Sequence, residues 1–242
     1  MKLTKEIIEQ GVKAKGYKWL ETGDYNINIV GVRNSDTGVE VTNKFDDKIT
    51  LSFKCDGQWE FYCYDCTTDP GRYWVENIMR KEGVAVLKEG QYRGSHKIRL
   101  HQGRYEALGQ NGPVTVYRDA NKDGKFDLSD DNTQTGLFGI NIHRATKWGG
   151  KKSTKVDKWS AGCQVIAAND DWHEFMDICR VAKDKWGNSF TYTLLDSKDL
   201  DIQNETNNNI TSVSLYCKYS ADKRVFPILN FLYVVIYEYI FC

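Results

Sequence analysis

Cys163 closes the run Ser160-Ala161-Gly162-Cys163, and His143 ends the run Gly139-Ile140-Asn141-Ile142-His143. A thiol that can become a thiolate and an imidazole that can take its proton are the two groups that nucleophilic acyl transfer requires. They stand twenty positions apart, too far for one helical face, so adjacent strands or a strand and a loop must bring them together. Ile140 and Ile142 alternate with Asn141 and His143, which on a strand puts His143 on the face opposite the core. Gln164-Val165-Ile166 reads as a second short strand just beyond the thiol. Ala161 and Gly162 leave little bulk around the sulfur, and the backbone N–H groups of such a turn could hold a developing oxyanion. The competing reading is a buried structural cysteine, because free cysteine behaves as a small hydrophobe.

From about Gly136 to Trp172 the pattern resembles the L,D-transpeptidase catalytic domain, whose signature is an upstream histidine, a variable stretch, then Ser-His-Gly-Cys and an arginine soon after. The resemblance implies Cys163 as nucleophile, His143 as general base, and Ser160 and Gly162 as fixed residues of the turn. It implies that the carbonyl of Arg144 orients the imidazole and that Asn141, Ser160 and Gln164 contact substrate. The substrate class it implies is the stem peptide of bacterial peptidoglycan, processed by acyl transfer or hydrolysis. Two positions depart from the signature: Ala161 stands where a second histidine is usual, and Gln164-Val165 lacks the arginine, which weakens the expected handling of a substrate carboxylate. The runs Gly-Ile-Asn-Ile-His-Arg-Ala and Trp-Ser-Ala-Gly-Cys-Gln-Val look like a divergent branch associated with phage and gut-bacterial cell-wall lytic proteins. In such a branch water rather than a second amine would resolve a thioester on Cys163. Two alternatives stand beside this: a phage-type cell-wall peptidase, and a calcium-stabilised β-module that binds cell wall without chemistry.

A second motif, Asp119-Ala-Asn121-Lys-Asp123-Gly124-Lys125-Phe-Asp127-Leu-Ser-Asp130, follows the calcium-loop pattern of oxygen donors at positions 1, 3 and 5 with glycine at 6. Asp119, Asn121, Asp123, the Lys125 carbonyl, Asp127 and Asp130 form the expected ligand set for a structural Ca2+, with no cofactor expected for catalysis. The competing reading is an Asx-rich turn between strands. Because Val114-Thr-Val-Tyr117 is β-branched and aromatic, any calcium loop here would sit on a β framework.

The 242 residues carry 33 basic and 33 acidic side chains and 40% hydrophobic content, which fits one soluble domain and a tail and argues against nucleic acid as a partner. The lysine-rich stretch 147–158 between base and nucleophile reads as a solvated, mobile connection. Seven cysteines form no regular ladder, and Cys63-Tyr-Asp-Cys66 lacks a second pair to complete a zinc site, so both read as strand residues. The charged start Met1-Lys-Leu-Thr-Lys-Glu does not resemble a signal peptide, so synthesis in a reducing cytoplasm is expected, with action on the cell wall as for a phage lysis protein.

The elements that must position the pair read as a mainly β, β-rich α+β fold: a largely antiparallel sheet system or sandwich with one helix after the nucleophile strand. Strands are expected around 25–33, 49–54, 59–64, 84–87, 97–100, 114–117, 137–143 and 190–195. A helix is expected over 4–15, and a longer one over 169–185 with an Asx cap and Trp172, Phe175, Met176 and Cys179 on one face. The segment His101-Gln-Gly-Arg-Tyr105 could line a peptide groove. Residues 1–198 are expected to be the catalytic domain and 199–242 an Asn-rich linker and an apolar tail. The run 225–242 reads as a weakly membrane-associating segment or as an extension outside the domain.

Overall fold

A computed structural model describes residues 2–203. The expected Asn-rich linker beyond 203 and the apolar run 225–242 lie outside the described residues. Eleven strands run in chain order: β1 (Asn28–Arg33), β2 (Asp47–Cys55), β3 (Gln58–Thr67), β4 (Val84–Leu87), β5 (Gly90–His101), β6 (Tyr105–Gln110), β7 (Val114–Asp119), β8 (Thr133–Gly136), β9 (Ile142–Arg144), β10 (Gln164–Ile166) and β11 (Phe190–Asp196). Eight of them close a barrel in the order β1-β11-β5-β6-β9-β10-β3-β2, and β4-β7-β8 form a separate three-stranded sheet. The chain is therefore β-rich, with its sheets arranged as a barrel and a small flanking sheet.

Strand alternation explains how the two sheets share one core. Ala85 and Leu87 of β4 and Val114 and Val116 of β7 pack with Ile49, Leu51, Leu108 and Ile142 in the main cluster. Their neighbours Val84, Val86 and Tyr117 face the other way, onto Val41, Val75 and Phe126. Each fully buried aliphatic side chain contributes about 1.5–3 kcal/mol relative to exposure. Arg33, only 5% exposed, links the sheets: its Nε lies 2.8 Å from Asp69 Oδ1, its Nη2 donates to the Leu87 carbonyl at 2.9 Å, and its Nη1 pairs with Glu89.

Three helices complete the described fold: α1 (Lys5–Ala14), α2 (Arg72–Glu76) and α3 (Asn169–Trp186). Thr4 caps α1, its hydroxyl accepting the Ile7 N–H at 3.4 Å. The apolar face of α3 is the one its spacing predicts: Trp172, Phe175, Met176 and Cys179 are all buried in the main core. Its cap differs. Ala168 is the N-cap and no side chain caps the helix, because the Asn169 carboxamide oxygen is engaged by Arg144 Nη1 at 2.8 Å.

The remaining corrections to the expected elements concern pairing and hydrogen bonding. Two strand pairs are parallel, β1 with β11 and β9 with β10. The expected strand over 137–143 divides into β8, which ends at Gly136, and β9, which starts at Ile142. Between them the chain leaves the sheet, and the Gln110 side chain takes the place of a neighbouring strand. Gln110 Oε1 accepts the Phe138 and Ile140 N–H groups at 3.0 and 2.9 Å, while Nε2 donates to the Gly136 carbonyl at 2.9 Å. Cys63 and Cys66 are both β3 residues with free thiols, one exposed and one buried.

Candidate active site

β9 and β10 bring the two chain segments side by side across the nineteen intervening positions. Their parallel register sets His143 beside Val165 and Ile142 beside Gln164. Ile142 and Ile166 point into the main core. By alternation His143, Val165 and, two residues earlier, Cys163 belong to the outer face of the barrel, and Cys163 packs against the cluster that contains Val165. His143 lies on the face opposite the core, but it is not exposed: only 5% of it is accessible. The His101 ring stacks on it with centroids 4.4 Å apart and planes 25° apart.

Backbone contacts fix both groups. His143 Nδ1 donates to the Arg144 carbonyl at 2.8 Å, a geometry that places the proton on Nδ1 and leaves Nε2 as the basic nitrogen. The Cys163 thiol donates to the Gly139 carbonyl at 3.3 Å. Burial, with the His101 ring as the second cause, holds His143 down at about 4, against the favourable Arg144 carbonyl. Burial pushes the Cys163 thiol up to about 11, although the Asn141 backbone N–H favours the thiolate. At neutral pH the resting pair is thus a neutral thiol and a neutral imidazole.

The turn before the thiol is built by Ser160 and Gly162. Ser160 is fully buried; its Oγ donates to the Cys163 carbonyl at 2.7 Å and accepts the Gly162 N–H at 3.1 Å. Gly162 adopts φ +127°, and a Cβ there would stand 2.2 Å from the Ala85 carbonyl oxygen. Only glycine fits. Because the Gly162 N–H is committed to Ser160, the oxyanion donor available at the turn is the Cys163 N–H, which has no acceptor among the described residues.

Two of the three expected substrate contacts are buried. Ser160 has both hydroxyl roles filled. Gln164 is fully buried, accepting from Tyr192 OH at 2.8 Å and donating to the Gly162 and Thr68 carbonyls. Asn141 does line the cleft with Cys163, where its side chain accepts the Gln110 N–H at 2.9 Å and reaches His101 Nδ1 at 3.4 Å. Arg144 acts through its carbonyl, while its guanidinium stacks 4.4 Å over the Tyr105 ring.

Cys163 sits between two clefts. One is lined by Trp74, Met79, Arg80, Arg118 and Phe138, with Met79 and Leu137 about 70% exposed at its rim (70% and 69%). The other is lined by Arg99, His101, Gln102 and Asn141. Residue spacing did not single out His101 as a partner of His143, nor Gln110 and His96 as braces; only the groove-lining reading of 101–105 came near. His96, another upstream imidazole, is fully buried and bonded to Ser95 Oγ at 2.8 Å and the Ile140 carbonyl at 2.9 Å. It holds the segment leading to His143 and has no access to the cleft.

The lysine-rich stretch is pinned rather than free. Val156 is buried, its N–H donates to the Asn43 carbonyl at 3.1 Å, and Ser153 donates to the Ala167 carbonyl at 3.0 Å. In the acidic turn Asp119 is buried at the end of β7, Asn121, Asp123 and Lys125 are exposed, Asp127 is half-buried, and Asp130 pairs with Lys88. Among the described residues no three histidine, cysteine or acidic side chains are grouped closely enough to hold an ion.

No protein-family model matches the chain, and no curated protein or solved structure matches it significantly.

Proposed function

We propose that this protein is a cysteine-dependent acyl-transfer enzyme of the L,D-transpeptidase type, acting on the stem peptides of bacterial peptidoglycan. The observation that carries the proposal is the His143–Arg144 hydrogen bond, which leaves Nε2 of the imidazole basic on β9, the strand paired with the β10 that Cys163 precedes. His143 takes the thiol proton as Cys163 Sγ attacks a peptide carbonyl. The Cys163 N–H stabilises the oxyanion. Collapse returns the proton to the leaving amine and leaves a thioester, which water resolves, regenerating the thiol. Arg80 and Arg118 in one cleft, and Arg99 in the other, are the cations placed to hold substrate carboxylates in the absence of the usual arginine after the nucleophile.

A second reading, a wall-binding β-module without chemistry, is favoured by the high pKa of the thiol and its bond to Gly139. Incubating defined muropeptides with wild type and with Cys163→Ala, followed by mass spectrometry of the products, separates the two. The proposal predicts shorter peptides that depend on Cys163; joined peptides would replace hydrolysis by transpeptidation. Unchanged muropeptides that bind equally to both proteins would select the module.

A further inference from the structure

We propose that the turn from Asp119 to Asp130, between β7 and β8, is a calcium-binding site that braces the small sheet. The observation that carries this is the Asp119 side chain. The residue is 1% exposed. Its Oδ1 accepts the Asn121 N–H at 3.3 Å, which turns the carboxylate toward the loop, but Oδ2 is buried with no partner among the described residues. A carboxylate oxygen removed from water without a donor is costly unless a cation meets it.

The neighbouring charges make that cost larger. Burial, followed by the negative charges of Asp123 and Asp127, pushes the Asp119 carboxyl above its ordinary range. Three nearby cationic side chains pair with groups other than Asp119: Lys125 with Glu40 at 3.2 Å, Lys88 with Asp130, and Arg118 with Gln134 at 2.9 Å. The same turn carries further hard oxygen donors, Asn121 Oδ1, Asp123 and Asp127, of the kind Ca2+ takes, although the acidic ones are not grouped around Asp119 in the present arrangement.

In this structure those donors satisfy the loop's own N–H groups. Asn121 Oδ1 accepts from Asp123 at 3.1 Å, Asp123 Oδ1 from Lys125 at 2.9 Å, and Asp127 Oδ1 from Ser129 at 3.1 Å. Binding therefore requires Asp123 and Asp127 to turn inward onto Asp119. The backbone is already held for this: Val41 N–H donates to the Gly124 carbonyl at 3.0 Å and Phe126 N–H to the Val39 carbonyl at 2.7 Å. An ion there would couple β7, whose Arg118 lines a Cys163 cleft, to β8 and the segment that follows it. The site stands independently of any chemistry at Cys163.

The test is calorimetric titration and thermal unfolding of the full chain with CaCl2 and with MgCl2. At 10 mM calcium, and a Kd on the order of 10⁻⁴–10⁻³ M as for extracellular calcium modules, Tm should rise by about 3–10 °C. Magnesium, which demands stricter geometry, should have little effect. Asp119→Asn should abolish the calcium shift and, by removing the unpartnered charge, raise Tm in the absence of calcium. Asp123→Asn, on the exposed part of the loop, should weaken binding at least tenfold and guards against a folding defect at Asp119. Absence of both heat and Tm shift in wild type at 10 mM calcium, or a shift undiminished in both variants, would overturn the site.

Discussion

At the scale of residues, the pair at the centre of the site is neutral at rest. With its pKa near 11, Cys163 holds about one part in ten thousand as thiolate at pH 7, so the proposed mechanism has its proton pass to His143 as a carbonyl arrives. This fixes the sign of a pH experiment. Iodoacetamide labelling of Cys163, followed by peptide mapping, should accelerate roughly tenfold per pH unit up to about pH 10; a plateau below pH 8 would contradict the raised thiol pKa. His143 has the opposite linkage. Its folded pKa of about 4 lies below the unfolded value of about 6.5, so the unfolded chain binds the extra proton. Stability is retained above pH 6.5 and lost as pH falls toward 4. His101, stacked on His143 and itself lowered by burial and by Arg99, adds like charge as it protonates. Between pH 7 and 4.5, wild type should lose about 2–3 kcal/mol more than His143→Gln in urea unfolding, and equal losses would contradict the burial. Cys163 and His143 were singled out by residue type and spacing and the Arg144 carbonyl by the family resemblance, and that carbonyl does accept from His143 Nδ1. The second imidazole was not, because His101 comes from β5 on a hairpin forty-two positions upstream of His143 and reaches it only through the long-range pairing of β6 with β9.

At the scale of elements, the site depends on a turn that tolerates no side chain at 162. Gly162→Ala would force a Cβ against the Ala85 carbonyl of β4 at a backbone angle that L residues rarely adopt, costing about 2–4 kcal/mol in unfolding free energy. A loss below 0.5 kcal/mol would mean that the turn and the small sheet are not in contact. Amphipathic elements were legible: α3 shows its buried face in the spacing of Trp172, Phe175, Met176 and Cys179, and β4 and β7 alternate between two clusters. β6 and β8 carried weaker signals, since Tyr105–Gln110 contains two small residues and Thr133–Gly136 no aliphatic one. The stretch 137–141 has strand composition but not strand pairing, because the Gln110 carboxamide satisfies its N–H groups. Nothing local in the sequence marks such a substitution of a side chain for a strand.

At the scale of the molecule, periodicity identifies strands but not their order, so the β-rich class was legible while closure of the barrel was not. β11 is the strand on which closure turns. It lies between β1 and β5, parallel to one and antiparallel to the other, and Tyr192 and Leu194 fill the core from it. Ending the chain after Gln203 should preserve a cooperative thermal transition, whereas ending it after Gly187 should abolish it. Comparable melting of both truncated forms, followed by circular dichroism, would contradict an obligatory barrel. The near-zero net charge leaves the substrate attraction of the proposed function to local groups such as the arginines that line the two Cys163 clefts.

The central claim, that Cys163 is a nucleophile served by His143, is tested most directly by intact-protein mass spectrometry after rapid mixing with a muropeptide and acid quenching. The account predicts an acyl adduct on wild type that maps to Cys163, is absent from Cys163→Ala, and forms at least a hundredfold more slowly in His143→Ala. An adduct on another residue, or adduct formation unchanged by loss of His143, would contradict it.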